Sequence, residues 1–343
     1  MIGTIPQLAR WLGPWADAER APAVATLDDA LDGIRVRVYG TRRRRARTFL
    51  IAPGLHYAGP DDPRMDRFCR ILAAAGHLVV APFIPAYLAL MPDATAVTDF
   101  ATIAAALPRW SDSPEKPVVF SISFGSLLAL ALAAEQPDAV DRLVLFGGYS
   151  DFHETMRFCL SGEVASGRSA TRDPLNQPVV IMNLLDLIDH ERSARDELIA
   201  GWRRYVEQTW GRPHMKLDRR FVAVAEELAA TIPETVRELF LIGIGAVPGA
   251  TELARTALQR FDARALDPTP YLPRVRCRVD LVHGTDDDVI PYEMSHELAR
   301  RLVNARVRVH ITGLYGHTGS QRPPLRALVR ELLTMLQVLR VMA

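Results

Sequence analysis

The chain has 343 residues, 49% of them hydrophobic and 24% charged, with a formal net charge of +1. That balance is ordinary for a soluble globular protein; nothing in the near-zero charge points to nucleic acid, so no nucleic-acid partner is expected, and no overall field would steer a strongly charged partner. Three cysteines, Cys69, Cys159 and Cys277, are odd in number and widely spaced. They make neither a disulfide framework nor a zinc pattern, and they fit a reducing cytoplasm.

The first 24 residues mix tryptophans, prolines and charges of both signs, unlike the basic start and apolar centre of a secretion signal. No uncharged run approaches the roughly 18 to 20 residues that span a bilayer. The length allows one large domain with an insertion, or two domains. Residues 34–39, Ile-Arg-Val-Arg-Val-Tyr, alternate apolar and charged with the period of a half-exposed strand. Residues 48–52 make a second strand. The basic run Arg42 to Arg45 between them reads as a solvated hairpin tip in preference to an anion site. The loop Pro53-Gly54-Leu55-His56 leaves that strand at its carboxyl end.

A helix over about 63–75 follows, capped by Asp61 or Asp62 and ended by Gly76. Residues 77–82 are apolar on both sides, as in a parallel strand covered on both faces. A helix at about 94–107, a strand at 117–122, a helix stopping before Pro137 and a strand at 141–148 continue the alternation. Strands alternating with helices predict a mostly parallel, doubly wound α/β sheet. The alternation then breaks. Helical segments at about 179–188, 191–210, 221–228, 234–241 and 251–261 predict an inserted helical layer over 151–269, leaving 1–150 and 270–343 as the sheet domain. The sheet resumes at 276–283 and 307–311, with a helix at 292–302 between them. A last helix, about 324–341, sets its leucines and valines on one face, which suits packing on the domain's own sheet.

Three loops at carboxyl ends of strands carry candidate chemistry, the edge where open α/β sheets place their sites. The first is Ser121-Ile122-Ser123-Phe124-Gly125, where a strand meets a strong helix former. Strand, sharp turn with an apical serine, helix is the geometry of a nucleophile elbow, which needs small residues two before and two after the serine. Ser121 stands where glycine is usual. The second loop runs from Gly284 to Pro291, with Asp286, Asp287 and Asp288 in succession, and the third holds Gly316-His317.

These pieces together resemble the α/β-hydrolase superfamily in its capped, serine esterase-like branch, over about residues 34–150 and 272–340. The stretch Gly284-Thr285-Asp286-Asp287-Asp288-Val289-Ile290-Pro291 is similar to the family pattern Gly-x-x-Asp-x-x-x-Pro. The resemblance implies Ser123 as nucleophile, Asp287 as triad acid and His317 as base, in the order Ser, Asp, His. Asp286, Asp288 and, less directly, Asp151 compete for the acid's place. It also implies an oxyanion hole from the backbone N–H groups of Leu55 and Phe124, although His56 follows the loop glycine where the family usually has histidine before it. His56 and Tyr57 are candidate substrate contacts; His56 equally suits hydrogen bonding inside its loop. His283 and His310 fall on strands and read as structural.

The implied activity is cleavage of a carboxylic ester or thioester through an acyl-enzyme, under a helical cap. Met182, Leu184, Leu185, Ile188 and Trp202 of the insertion favour an apolar acyl or aromatic substrate. Acyl transfer on the same triad and a non-catalytic ligand-binding or scaffolding relative are the alternatives. No His-Glu-x-x-His, phosphate loop or dinucleotide fingerprint is present, so no metal or cofactor is expected.

Overall fold

A computed structural model describes residues 4–12, 20–42, 47–164, 167, 169–313 and 325–343. The chain divides into two compact units. One comprises 1–151, 266–287 and 292–343; the other comprises 152–265 and 288–291.

The first unit is built on eight strands: β1 (Thr26–Leu31), β2 (Ile34–Tyr39), β3 (Thr48–Ala52), β4 (Leu78–Pro82), β5 (Val118–Ile122), β6 (Arg142–Phe146), β7 (Arg278–Gly284) and β8 (Arg306–Thr312). They lie in the order β1-β2-β4-β3-β5-β6-β7-β8. β2 is antiparallel to both neighbours, and the pairings from β4 through β8 are parallel. The expected hairpin between residues 34–39 and 48–52 does not form. β2 turns back on β1 through Asp32-Gly33, both left-handed (φ 49° and 81°), the two-residue Asp-Gly turn that suits strand twist. β3 instead sits between β4 and β5. Burial explains the placement. All five residues of β3 are buried, so it needs cover on both faces, whereas β2 keeps an exposed position at Arg35. β1 has no sequence forecast because Asp28-Asp29 breaks its apolar period.

Helices α1 (Thr4–Trp11), α2 (Pro63–Ala74), α3 (Pro85–Leu88), α4 (Thr95–Ala105) and α5 (Gly125–Glu135) belong to the first half of this unit. Asp62 caps α2, accepting from the N–H groups of Arg64 (2.9 Å) and Met65 (3.3 Å), with Pro63 at the first helical position. α5 has no polar face: every residue from Gly125 to Ala134 is buried. The inserted unit holds α6 (Phe152–Ser161), α7 (Gln177–Leu184), α8 (Arg195–Thr209), α9 (Phe221–Ala229), α10 (Glu234–Ile244) and α11 (Ala250–Arg260). The sheet unit then resumes with α12 (Glu293–Arg301) and closes with α13 (Leu325–Met342). Leu8, Cys69, Leu72, Met335, Val338 and Leu339 pack with Phe49, Ile51, Phe120 and Val144 over one sheet face. The alternate strand positions Leu50, Val80, Val119, Leu143 and Leu145 are buried on the other.

His77, immediately before β4, shows how tightly the first core is closed. It is 7% exposed, and its ring lies 4.8 Å from that of Phe49. Burial, joined by the charges of Arg47 and Arg142, pushes its pKa down from 6.5 to about 4. Between those values the unfolded chain takes up a proton that the folded one refuses, so stability falls as pH falls through the window. Wild-type protein at pH 4.5 is expected to lose about 2 to 3 kcal/mol relative to pH 7 from this group alone. Urea midpoints of wild type and His77→Phe at both pH values check it; the variant lacks that part of the decline.

The inserted unit has its own core. Trp202 of α8 is fully buried, stacks on Phe240 and donates from its indole N–H to the Phe240 carbonyl at 3.1 Å. A Cβ at Gly243 would lie 2.7 Å from the Trp202 ring, so α10 approaches α8 only because that residue is glycine. This corrects the expectation that Trp202 faces substrate: its ring and its one donor are used inside the helical unit. Val179 to Met182, strand-like by composition, are helical in α7, which Pro178 opens. Among the described residues no helix is long and apolar enough to cross a membrane.

Candidate active site

Ser123 sits between β5 and α5 with φ of +52°. A side-chain-bearing residue in this left-handed region costs about 1 to 2 kcal/mol, so the turn is held by its surroundings. The Ser123 N–H donates to the Phe146 carbonyl at the end of β6 (2.8 Å), and its carbonyl accepts from the Ser126 N–H (3.0 Å). Gly125 makes the turn sterically feasible. A Cβ there would lie 2.2 Å from the Ala52 carbonyl oxygen and 2.6 Å from that of Pro53. The first turn of α5 is thereby pressed against the carboxyl end of β3. Ser121 is fully buried, and its hydroxyl has no hydrogen-bond partner among the described residues. It fills the small position without making a polar contact there.

The loop after β3 lies against this turn. A Cβ at Gly54 would stand 3.2 Å from the Ile122 carbonyl and 3.7 Å from the Ser123 Cβ. The next residue is Leu55, whose N–H makes no hydrogen bond among the described residues. Phe124 occupies the N-cap position of α5. Its carbonyl accepts from the Tyr87 hydroxyl at 3.0 Å, and burial holds that phenol firmly protonated. His56 has partners inside its own loop. Nδ1 accepts from the Ala58 N–H (3.2 Å), and Nε2 lies 3.3 Å from Asp62 Oδ2. Burial lowers its pKa despite the neighbouring carboxylate. Tyr57 stacks on His56 with ring centroids 4.6 Å apart.

The three consecutive aspartates have three different surroundings. Asp286 is exposed. The Asp288 carboxylate is 3% exposed and bound by Lys216 Nζ at 2.7 Å; the same ammonium reaches Asp173 at 2.6 Å. Asp288 thus serves a buried ion cluster of the helical unit. Asp287, 11% exposed, places Oδ2 beside Gly147, where a Cβ would stand 3.3 Å away, and 3.5 Å from His283 Nε2. Gly147 follows β6, and its N–H donates to Val282 of β7 (2.9 Å). Phe146-Gly147 therefore touches Ser123 on one side and the acid loop on the other, with β5 and β7 about 10 Å apart across β6. His317 lies outside the described residues. Gly147 and His283 have no sequence signal for a place here, because their nearness depends on β6 and β7 pairing. Among the described residues no group of three or more histidine, cysteine or acidic side chains is arranged to hold a metal ion.

No family model matches the chain. A 2-hydroxymuconate semialdehyde hydrolase from Pseudomonas putida is 29% identical over 195 residues, 57% of this chain and 53% of the relative. The match thus spans about half of that relative's length. Among solved structures, a bacterial membrane phospholipase A aligns with a TM-score of 0.46 at 19% identity, covering 92% of this chain and 87% of that one. A meta-cleavage product hydrolase from Pseudomonas fluorescens aligns with a TM-score of 0.42 at 19% identity, covering 89% and 95%.

Proposed function

We propose that the chain is a serine hydrolase of the α/β-hydrolase type, cleaving a carboxylic ester or thioester through an acyl-enzyme on Ser123. The observation that carries the reading is the strained Ser123 backbone, held between β5 and α5 by Phe146 and made feasible by Gly125. Strain of this kind in a side-chain-bearing residue concentrates at functional sites.

In this reading Ser123 Oγ attacks the substrate carbonyl carbon while His317 takes its proton. The carbonyl oxygen becomes an oxyanion, which accepts from the backbone N–H groups of Leu55 and Phe124; one such donor is typically worth about 10² to 10³ in rate. Collapse of the tetrahedral centre breaks the bond to the alcohol or thiol, which leaves with the proton from His317. Water, deprotonated by the same histidine, attacks the acyl carbon, and collapse of the second tetrahedral centre breaks the bond to Ser123 Oγ, which takes the proton back from His317 as the acid leaves. Asp287 orients the imidazole and stabilises its charged form. The substrate class proposed is an apolar acyl or aromatic ester.

A fluorophosphonate probe with peptide mapping tests the assignment. Folded wild type is expected to be labelled on Ser123, and no label there counts against a nucleophile at that position. Hydrolysis of p-nitrophenyl butyrate reads the ester class. The compound for which the Pseudomonas putida relative is named, 2-hydroxymuconate semialdehyde, is the second substrate to assay. Turnover of that compound without ester turnover replaces the substrate class and leaves the Ser123 chemistry in place.

A further inference from the structure

His283 is the penultimate residue of β7, inside its buried run, and is 0% exposed. Both ring nitrogens face named groups. Nδ1 lies 2.7 Å from the hydroxyl oxygen of Ser295, itself fully buried in α12, and Nε2 lies 3.5 Å from Asp287 Oδ2. The chemistry of the partners orders the protons. An ionised carboxylate only accepts, so Nε2 carries the hydrogen; in the neutral ring Nδ1 is then an acceptor, which the Ser295 O–H satisfies. The hydroxyl sets the tautomer, and the tautomer presents a donor to the carboxylate.

The other boundary of that oxygen is Gly147, whose missing side chain leaves a space only 3.3 Å from Oδ2. Oδ2 is thus bracketed between the β6 end and the imidazole. We propose that His283 is a positioning residue: with Ser295 it locks the Asp287 carboxylate in the rotamer that orients the catalytic base. The inference rests on the triad reading above. At 3.5 Å the Nε2–Oδ2 contact is longer than a tight hydrogen bond, as contacts in catalytic sites often are before substrate binds. A misplacement of about 1 Å in such a group can cost 10²-fold in rate, which gives the rotamer lock its leverage.

Two substitutions separate positioning from mere core filling. Glutamine reaches with its amide N–H₂ about as far as Nε2, whereas asparagine reaches only to the place of Nδ1. His283→Asn is expected to lower kcat for p-nitrophenyl butyrate by roughly 10- to 100-fold with KM within about twofold, and His283→Gln to recover to within about threefold of wild type. A purely structural histidine predicts instead that both variants lose thermal stability and keep kcat. Equal kcat in the two folded variants, or wild-type kcat in His283→Asn, overturns the proposal. If His283→Asn does not fold, Ser295→Ala carries the test. It frees the tautomer and is expected to lower kcat about 3- to 10-fold at constant KM; unchanged kcat overturns the proposal. Wild-type labelling at Ser123 distinguishes the failures. With label present and kcat unmoved, only the His283 role falls; with no label, the triad reading and this inference fall together.

Discussion

Ser123→Ala is expected to lower ester turnover by about 10⁶-fold, because removing the nucleophile of a triad removes nearly all of its concerted chemistry. The fold is expected to survive. Alanine carries the same Cβ as serine, so the cost of φ at +52° is unchanged, and the backbone bonds to Phe146 and Ser126 involve no side-chain atom. Urea midpoints of the two proteins should agree within about 0.5 kcal/mol. Ser123→Gly sharpens the result. Glycine enters the left-handed region freely, so this variant is expected to be inactive and yet about 1 kcal/mol more stable than wild type. That opposite movement of activity and stability is the signature of strain kept for function. A glycine variant less stable than wild type contradicts the account of the turn. Retained ester hydrolysis in Ser123→Ala contradicts the mechanism.

Gly125→Ala is expected to be among the most damaging single-methyl changes in this chain, at about 4 kcal/mol or more. The added Cβ meets two backbone carbonyl oxygens, at 2.2 and 2.6 Å, and neither can swing aside as a flexible side chain would. Relief requires α5 to move off β3, and α5 is buried along its whole length from Gly125 to Ala134. Two other glycines calibrate the effect. Gly54→Ala meets the Ile122 carbonyl at 3.2 Å, a contact that a shift of a few tenths of an ångström relieves, and should cost far less. Gly33→Ala has open space around its new Cβ and pays only for its φ of +81°, about 1 kcal/mol. Thermal melts of the three variants should rank Gly125 well below the other two. Comparable melts for all three would show that helix and strand can part at the elbow.

Much of the sheet unit was legible because its physics is local. The apolar run at residues 77–82 marks a strand covered on both faces, short apolar-rich runs at 48–52 and 117–122 mark further strands, and Asp61 or Asp62 before Pro63 marks a helix start. The joining of residues 34–39 to 48–52 was misread. Both segments are strands, but pairing partners depend on which faces the rest of the molecule covers. Trp202 was misassigned for a related reason. An aromatic residue on an amphipathic helix looks the same whether it faces a ligand or its own core, and only Gly243 on another helix decides.

The sequence by itself determined that a serine stands at a strand-to-helix turn with glycine two residues later, and that an aspartate loop follows a later buried strand. Those are properties of a few adjacent residues. Only the tertiary structure differentiated three chemically identical neighbours: Asp286 to solvent, Asp288 to Lys216, and Asp287 to the space beside Gly147 and His283. It likewise turned Gly125 from a permissive small residue into an obligatory one. The reason is the same in each case. A side chain's role is set by the groups within a few ångströms of it, and strand pairing brings those groups from far along the chain.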